Sequence, residues 1–280
     1  VGDKANDGLR VNGCELRARV FGEGGNLGMT QLGRVEFGLN GGAGNTDFID
    51  NAGGVDCSDH EVNIKILLGG VVQAGDMTEK QRNKLLAEMT DEVAALVLGN
   101  NYKQTQALSL AQRRAGERIG EYRRLMAALE SAGKLDRALE FLPSEEEISE
   151  RLANGQSLTR PELSVLISYS KIDLKEALLK SRVPDDDYLI RDMETAFPPK
   201  LVAKFGAQMR QHRLKREIVS TQIANDLVNH MGITFVQRLK ESTGMSAANV
   251  AAAYVIVRDV FRLPHWWQQI EALDYQVPAE

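Results

Sequence analysis

"TDFIDNAGGVDCSDHE", Thr46–Glu61, is the stretch on which the fold turns. Thr46–Asp50 reads as a short β-strand with Phe48 and Ile49 as its apolar centre. Asn51 ends that strand, Gly53 and Gly54 make a turn, and Ser58 opens a helix as N-cap with Glu61 as its capping-box partner. The same pattern occurs once more upstream. "RARVF" (17–21) has the look of a short β-branched strand, "GEGGNLGMT" (22–30) is a Gly/Asn turn, and "TQLGRVEFGL" (30–39) has helical apolar spacing. A strand–helix–strand of this length is half of a doubly wound, Rossmann-like α/β sheet.

Beyond Ser58 the pattern turns helical. Seventeen of the 25 glycines lie at or before Gly75, and all seven prolines lie at or after Pro143. The expected organisation is therefore α/β plus all-α, with residues 1–75 as the closing part of a Rossmann-like domain and 76–280 as a helical domain. Besides Ser58/Glu61, capping boxes are expected at Thr78/Gln81, Ser144/Glu147 and Thr159/Glu162. Long amphipathic segments are expected at about 78–98 and 104–132. Shorter helices follow over 144–153, 160–182, 185–194 and 198–205, and three more over 208–230, 233–242 and 246–262.

Composition narrows the function. A net charge of −5 and an isoelectric point near 5.6 argue against a nucleic-acid partner, whose phosphates need a basic face. No apolar run reaches the ~20 residues of a membrane span. With only Cys14 and Cys57 there is no disulfide framework, so a cytoplasmic setting is expected. The chain opens "VGDKANDGLR", without Met or an apolar signal region, and reads as a piece of something longer.

The two glycine turns carry the chemistry. Glycines let a backbone approach a ligand closely, and a carboxamide such as that of Asn26 both donates and accepts, which suits a ribose hydroxyl or a nicotinamide amide. Gly22, Gly24 and Gly28 do not make a GxGxxG fingerprint, because Leu27 stands where its last glycine belongs. On these residues alone a structural turn and a nucleotide site both remain open. So do two roles for Ser58, as a helix cap or as a hydroxyl holding a substrate carboxylate at a positive helix end.

Taken together, the turns resemble the glutamate dehydrogenases, where an "EGAN-x-P-T" turn precedes "N-A-G-G-V-x-x-S-x-x-E". Here the first stands as "EGGNLGMT", with Gly25 for Ala, one extra residue and no Pro before Thr30. The second is matched in full by Asn51-Ala52-Gly53-Gly54-Val55, then Ser58 and Glu61. The wording over residues 1–75 is most similar to the very large NAD-specific bacterial branch. This resemblance implies a C-terminal fragment of an NAD-dependent enzyme that oxidises L-glutamate to 2-oxoglutarate and ammonia, homo-oligomeric in its parent form. It further implies that Gly24, Gly25 and Asn26 line the nicotinamide-ribose end of NAD and that Asn51 lies beside the nicotinamide. Val55 would touch the substrate side chain and Ser58 its far carboxylate. The catalytic Lys and Asp, the substrate lysines and the GxGxxG half would lie upstream, and none of the lysines here sits in a matching motif, so no catalytic residue is assigned. A non-catalytic helical interaction or regulatory module is the rival reading.

Three other stretches suggest less. "DCSDH" (56–60) cannot close a triad within itself, since neighbours at a helix start point in different directions. "RQHRLKRE" (210–217) reads as a solvated helix face with Leu214, Ile218 and Ile223 inward. The Trp pair of "FRLPHWW" (261–267) reads as core packing or a subunit contact.

Overall fold

The computed structural model describes Gly8, residues 11–25 and residues 28–277 of the chain. Among these the only β-pairing is an isolated parallel bridge between Val20 and Ala43. The expected Rossmann-like α/β segment is therefore absent, and the described fold is all-helical. Its helices are α1 (Gln31–Leu39), α2 (Asp47–Asp50), α3 (Ala52–Gln73), α4 (Glu79–Glu88), α5 (Thr90–Arg113), α6 (Ile119–Ser131) and α7 (Glu145–Ala153). Then come α8 (Arg160–Leu179), α9 (Ile190–Glu194), α10 (Pro199–Met209), α11 (Lys215–Met231), α12 (Phe235–Thr243), α13 (Ala247–Val260) and α14 (Leu263–Glu271).

Both expected strands fail for physical reasons. A strand needs neighbours to pair its backbone groups. Residues 19–21 find only Ala43, through Phe21 N–H to Ala43 O at 2.9 Å and Ala43 N–H to Arg19 O at 2.9 Å. Residues 47–50 instead wind into one helical turn behind Thr46, whose carbonyl accepts from Ile49 and Asp50 at 3.1 Å each. That turn separates the two adjacent apolar residues, burying Ile49 to 1% exposure and leaving Phe48 at 47%.

The glycine turn before Ser58 is also overturned. Helix α3 starts at Ala52 and runs straight through Gly53 and Gly54, with Asn51 shared as the end of α2 and the N-cap of α3. A Gly pair costs a helix about 1–2 kcal/mol against Ala. Breaking the helix would strand several backbone groups, each costing a comparable amount if left unpaired. Farther along, His60, Asn63, Ile64, Leu67, Leu68 and Val71 form the buried stripe of a long amphipathic helix. Ser58 therefore lies inside α3. Its hydroxyl donates to Gly54 O at 3.2 Å, and Glu61 pairs with Lys65 instead of capping.

The other three capping boxes form as expected. Their backbone-to-side-chain arms are Thr78 to Gln81 at 2.9 Å, Ser144 to Glu147 at 2.7 Å and Thr159 to Glu162 at 2.7 Å. The long helical tract breaks elsewhere than expected, at Met89 and between Arg113 and Ile119, and α14 lies beyond the last expected helix. Helix α8 is the hub. Pro161–Ile167 is buried on every side, and the helix packs most extensively against α11 and also against α1, α5 and α13. Ile218 and Ile223 of α11 face inward, although the basic run begins outside the helix. Of the Trp pair, Trp267 packs on the core and stacks on His230 at 3.7 Å, while Trp266 stays exposed.

The amino-terminal residues are pinned to this hub. Gln31 donates to Pro161 O at 3.3 Å, Gln156 to Leu39 O at 3.1 Å and Arg160 to Asn45 at 3.0 Å. At Gly38 a Cβ would come within 3.1 Å of Thr159 Cβ, so the glycine permits the close approach of α1 to the start of α8. No helix among the described residues is long and apolar enough to cross a membrane.

Candidate functional site

The junction of α2 and α3 opens onto a cavity of about 500 Å³, closed by α5, α8 and α11. Its wall is rich in carboxamides. Asn51 stands at the start of α3, Asn100, Asn101 and Gln104 come from α5, and Asn225 and Asn229 sit one turn apart on α11. Some of these are committed to structure. Asn101 donates to Ile49 O at 3.0 Å, holding α2 in its turn, and Asn100 donates to Asp56 at 3.0 Å. The Asn229 Oδ1 is buried and finds no donor among the described residues.

Lys171 of α8 is the one cation in this wall among the described residues. Its ammonium donates to Gln104 Oε1 at 2.6 Å, a neutral acceptor. Burial without a carboxylate partner pulls its pKa down to about 7. A lysine poised there changes charge near neutral pH and gains strongly from any anion that enters.

The glycine-rich loop is held from beneath by Glu23. This carboxylate is 4% exposed and forks onto Arg34 of α1, at 2.5 Å to Nε and 3.0 Å to Nη2. It also accepts from Met29 N–H at 2.9 Å, which closes the loop, and Arg34 reaches on to Asp47 in the cavity wall at 3.3 Å. Loop and cavity are thus mechanically joined. Glu23→Gln keeps the shape and loses the charge, leaving Arg34 with only the longer Asp47 pair at 3.3 Å, and is expected to destabilise the chain by about 1–3 kcal/mol. Limited proteolysis at residues 22–30 should accelerate; an unchanged cleavage rate would show that the pair does not hold the loop.

The residues expected to bind ligand are only partly gathered. Asn51 and Val55 line the cavity, and Val55 is 75% exposed. Ser58 is outside the cavity wall but shares a helix face with them, since 51, 55 and 58 follow i, i+4, i+7 spacing. Gly24 and Gly25 are exposed in the loop, with nothing within 4 Å of a Cβ built at either, so packing within the described chain does not demand glycine there. The same is true of Gly54. Asn26 lies outside the described residues.

Sequence reasoning missed Glu23, Lys171 and the amides of α5 and α11. Lys171 did leave a trace, because it lies at helical spacing between Ile167 and Leu174 on an otherwise apolar stripe. The amides left none, since nothing in their local pattern separates a solvated Asn from one that faces a cavity.

Among the described residues a helical body clasps a glycine-rich loop and an amide-lined cavity, without the parallel sheet of a nucleotide-binding domain. Residues 1–111 match the family model described as bacterial NAD-glutamate dehydrogenase, catalytic domain, and residues 155–280 match glutamate dehydrogenase, C-terminal. Proteins called NAD-specific glutamate dehydrogenase are 84% identical in Pseudomonas aeruginosa and 61% in Halomonas elongata, each over the whole chain. A third, from Mycobacterium tuberculosis, is 44% identical over 99% of it. The chain belongs to the bacterial NAD-specific glutamate dehydrogenase family. It spans 17% of the length of each of these relatives.

Proposed function

We propose that the chain is part of an NAD-dependent glutamate dehydrogenase and supplies one wall of its coenzyme and substrate cleft. The observation that carries this reading is the α3 face on which Asn51, Val55 and Ser58 lie in line, beside a cavity that holds two of them. An exposed valine flanked by glycine without a packing role is a surface suited to close contact with a ligand. The residues fit the nicotinamide end of NAD. A carboxamide at Asn51 pairs with a nicotinamide amide, and the Cβ-free backbone at Gly54 leaves room for a flat ring. The resemblance implies that the GxGxxG half of the coenzyme site lies upstream, so the adenine end would lie against other parts of the parent protein.

In this arrangement NAD supplies the hydride acceptor for the Cα–H bond of glutamate. Asn51 orients the nicotinamide, Val55 packs on the substrate methylenes, and Ser58 turns its hydroxyl from Gly54 O to donate to the far carboxylate. Gly24, Gly25 and Asn26 border the ribose, at a height set by the Glu23 clasp. We keep the boundary at residue 75, where α3 has just ended, with residues 1–75 forming the wall and 76–280 the helical domain behind it. A cytoplasmic, homo-oligomeric parent is part of the same reading. Exposed thiols at Cys14 and Cys57 suit a reducing compartment, and the apolar strip with Val260, Phe261 and Ile270 suits a subunit contact.

Two substitutions in the full-length protein test this. Ser58→Ala should raise the KM for glutamate about ten- to a hundredfold, the worth of a hydrogen bond to a charged group, with the KM for NAD nearly unchanged. Asn51→Ala should lower kcat more than it raises the KM for NAD, because a misoriented ring costs rate. A non-catalytic helical module would leave all three parameters untouched.

A further inference from the structure

We propose that Lys171 is a further anchor for a carboxylate of an α-amino acid substrate held in the cavity between α3, α5, α8 and α11. The inference rests on the reading above and adds to the upstream lysines a residue from the helical domain that lines the same cavity as the α3 face.

Several observations converge. The cavity is large enough for a five-carbon acid and has one cation among its described lining residues. That cation is satisfied only by the neutral Gln104 amide, so it holds a charge with no counter-charge in contact. An entering carboxylate would supply it, and the exchange of water for a fixed ammonium inside a cavity is far more favourable than at the surface. The rest of the lining has the complementary chemistry. Asp56 and Asp59 of α3 border the cavity, and Asn229 Oδ1 of α11 is an acceptor awaiting a donor among the described residues. A cation, two acids and an orphan acceptor around one cavity match a zwitterion, with its carboxylate on Lys171 and its ammonium toward the acids of α3. Asp56 already accepts from Asn100, and Asp47, the third acid of the wall, is engaged by Arg34.

The full-length protein provides the test, using glutamate turnover and the calorimetric affinity of glutarate, a dicarboxylate that cannot react. Lys171→Met keeps length and apolar stem and removes the charge. It should raise the KM for glutamate and the Kd for glutarate tenfold or more, leave the Kd for NADH within twofold, and be partly rescued by Lys171→Arg. Unchanged KM and Kd in the Met variant would overturn the assignment, as would failure of the wild type to bind glutarate. Should the wild type bind glutarate through Lys171 yet not oxidise glutamate, the dehydrogenase reading falls while the carboxylate site stands. Should it oxidise glutamate equally well with or without Lys171, the reverse holds.

Discussion

Arg258→Met is expected to destabilise the fold by about 3–5 kcal/mol at pH 7, the cost of stripping a buried cation from its carboxylates. The guanidinium of α13 gathers three of them. Nη1 donates to Asp192 of α9 at 2.6 Å and to Asp226 of α11 at 2.8 Å, and Nε to Asp259 at 2.9 Å. Three helices far apart in sequence therefore meet on one side chain. Burial pushes the Asp192 carboxyl up even with Arg258 beside it. Burial acts on Asp226 as well, but hydrogen bonds from His230 and Arg258 outweigh it and hold that carboxyl below its usual range. Asp259 is likewise held down, its burial outweighed chiefly by Arg258.

Without the guanidinium all three carboxyls would rise, Asp192 farthest, because Asp226 keeps His230 and Asp259 keeps Tyr188 and Arg191. Their penalty in the variant is then complete at neutral pH and fades as they protonate. The wild type behaves oppositely for Asp226 and Asp259, whose stabilisation is present above the unfolded pKa near ~3.9 and is lost as pH falls. The gap in stability between the two proteins should therefore narrow from pH 7 to pH 4, as read from urea midpoints of the chain. A gap that stayed constant would assign the loss to packing alone. Arg258→Lys should fall between, because an ammonium cannot fork onto three acids.

Lys171→Met is expected to stabilise the same chain, by roughly 2–4 kcal/mol at pH 7 and below. Burial holds the folded amine at about 7, whereas an unfolded lysine titrates near ~10.4. Between those values the unfolded chain binds the extra proton, so wild-type stability climbs with pH and the cost of the buried charge disappears. Below the folded value the cost is complete. Loss of the Gln104 contact offsets the gain by about 1 kcal/mol. Denaturation at pH 6.5 and pH 10 should thus show an advantage for the variant that shrinks at the higher pH. A variant less stable than wild type at both would mean that Lys171 is held by interactions stronger than its desolvation. Stabilisation on removal, coupled with weaker binding of a carboxylate, is the signature of a residue kept for function at the expense of the fold.

The helical body was legible because its signals are local. The pairs Thr78/Gln81, Ser144/Glu147 and Thr159/Glu162 close within four residues, and the stripes of α8 and α11 repeat at the period of one helix. The wording of the two glycine motifs was enough to place the chain in its family, since an ordered run of specific residues identifies an ancestor whatever shape it folds into. Strands are another matter. "RARVF" and "TDFID" have the composition of strands, but a strand is completed by its neighbours, and only Ala43 is there to bridge Val20. Adjacent apolar residues at Phe48 and Ile49 fit either a strand or a helical turn, and packing of Ile49 beneath Asn101 decided for the turn. The sequence by itself thus determined the helical character beyond residue 75, three of the four capping boxes and the ancestry. Tertiary structure alone decided the path through Gly53 and Gly54 and the Glu23–Arg34 clasp. It alone brought Lys171 and Asn51, 120 residues apart, into the lining of one cavity, for a charge's partners and desolvation depend on groups distant in sequence, as with Gln104 67 residues from Lys171.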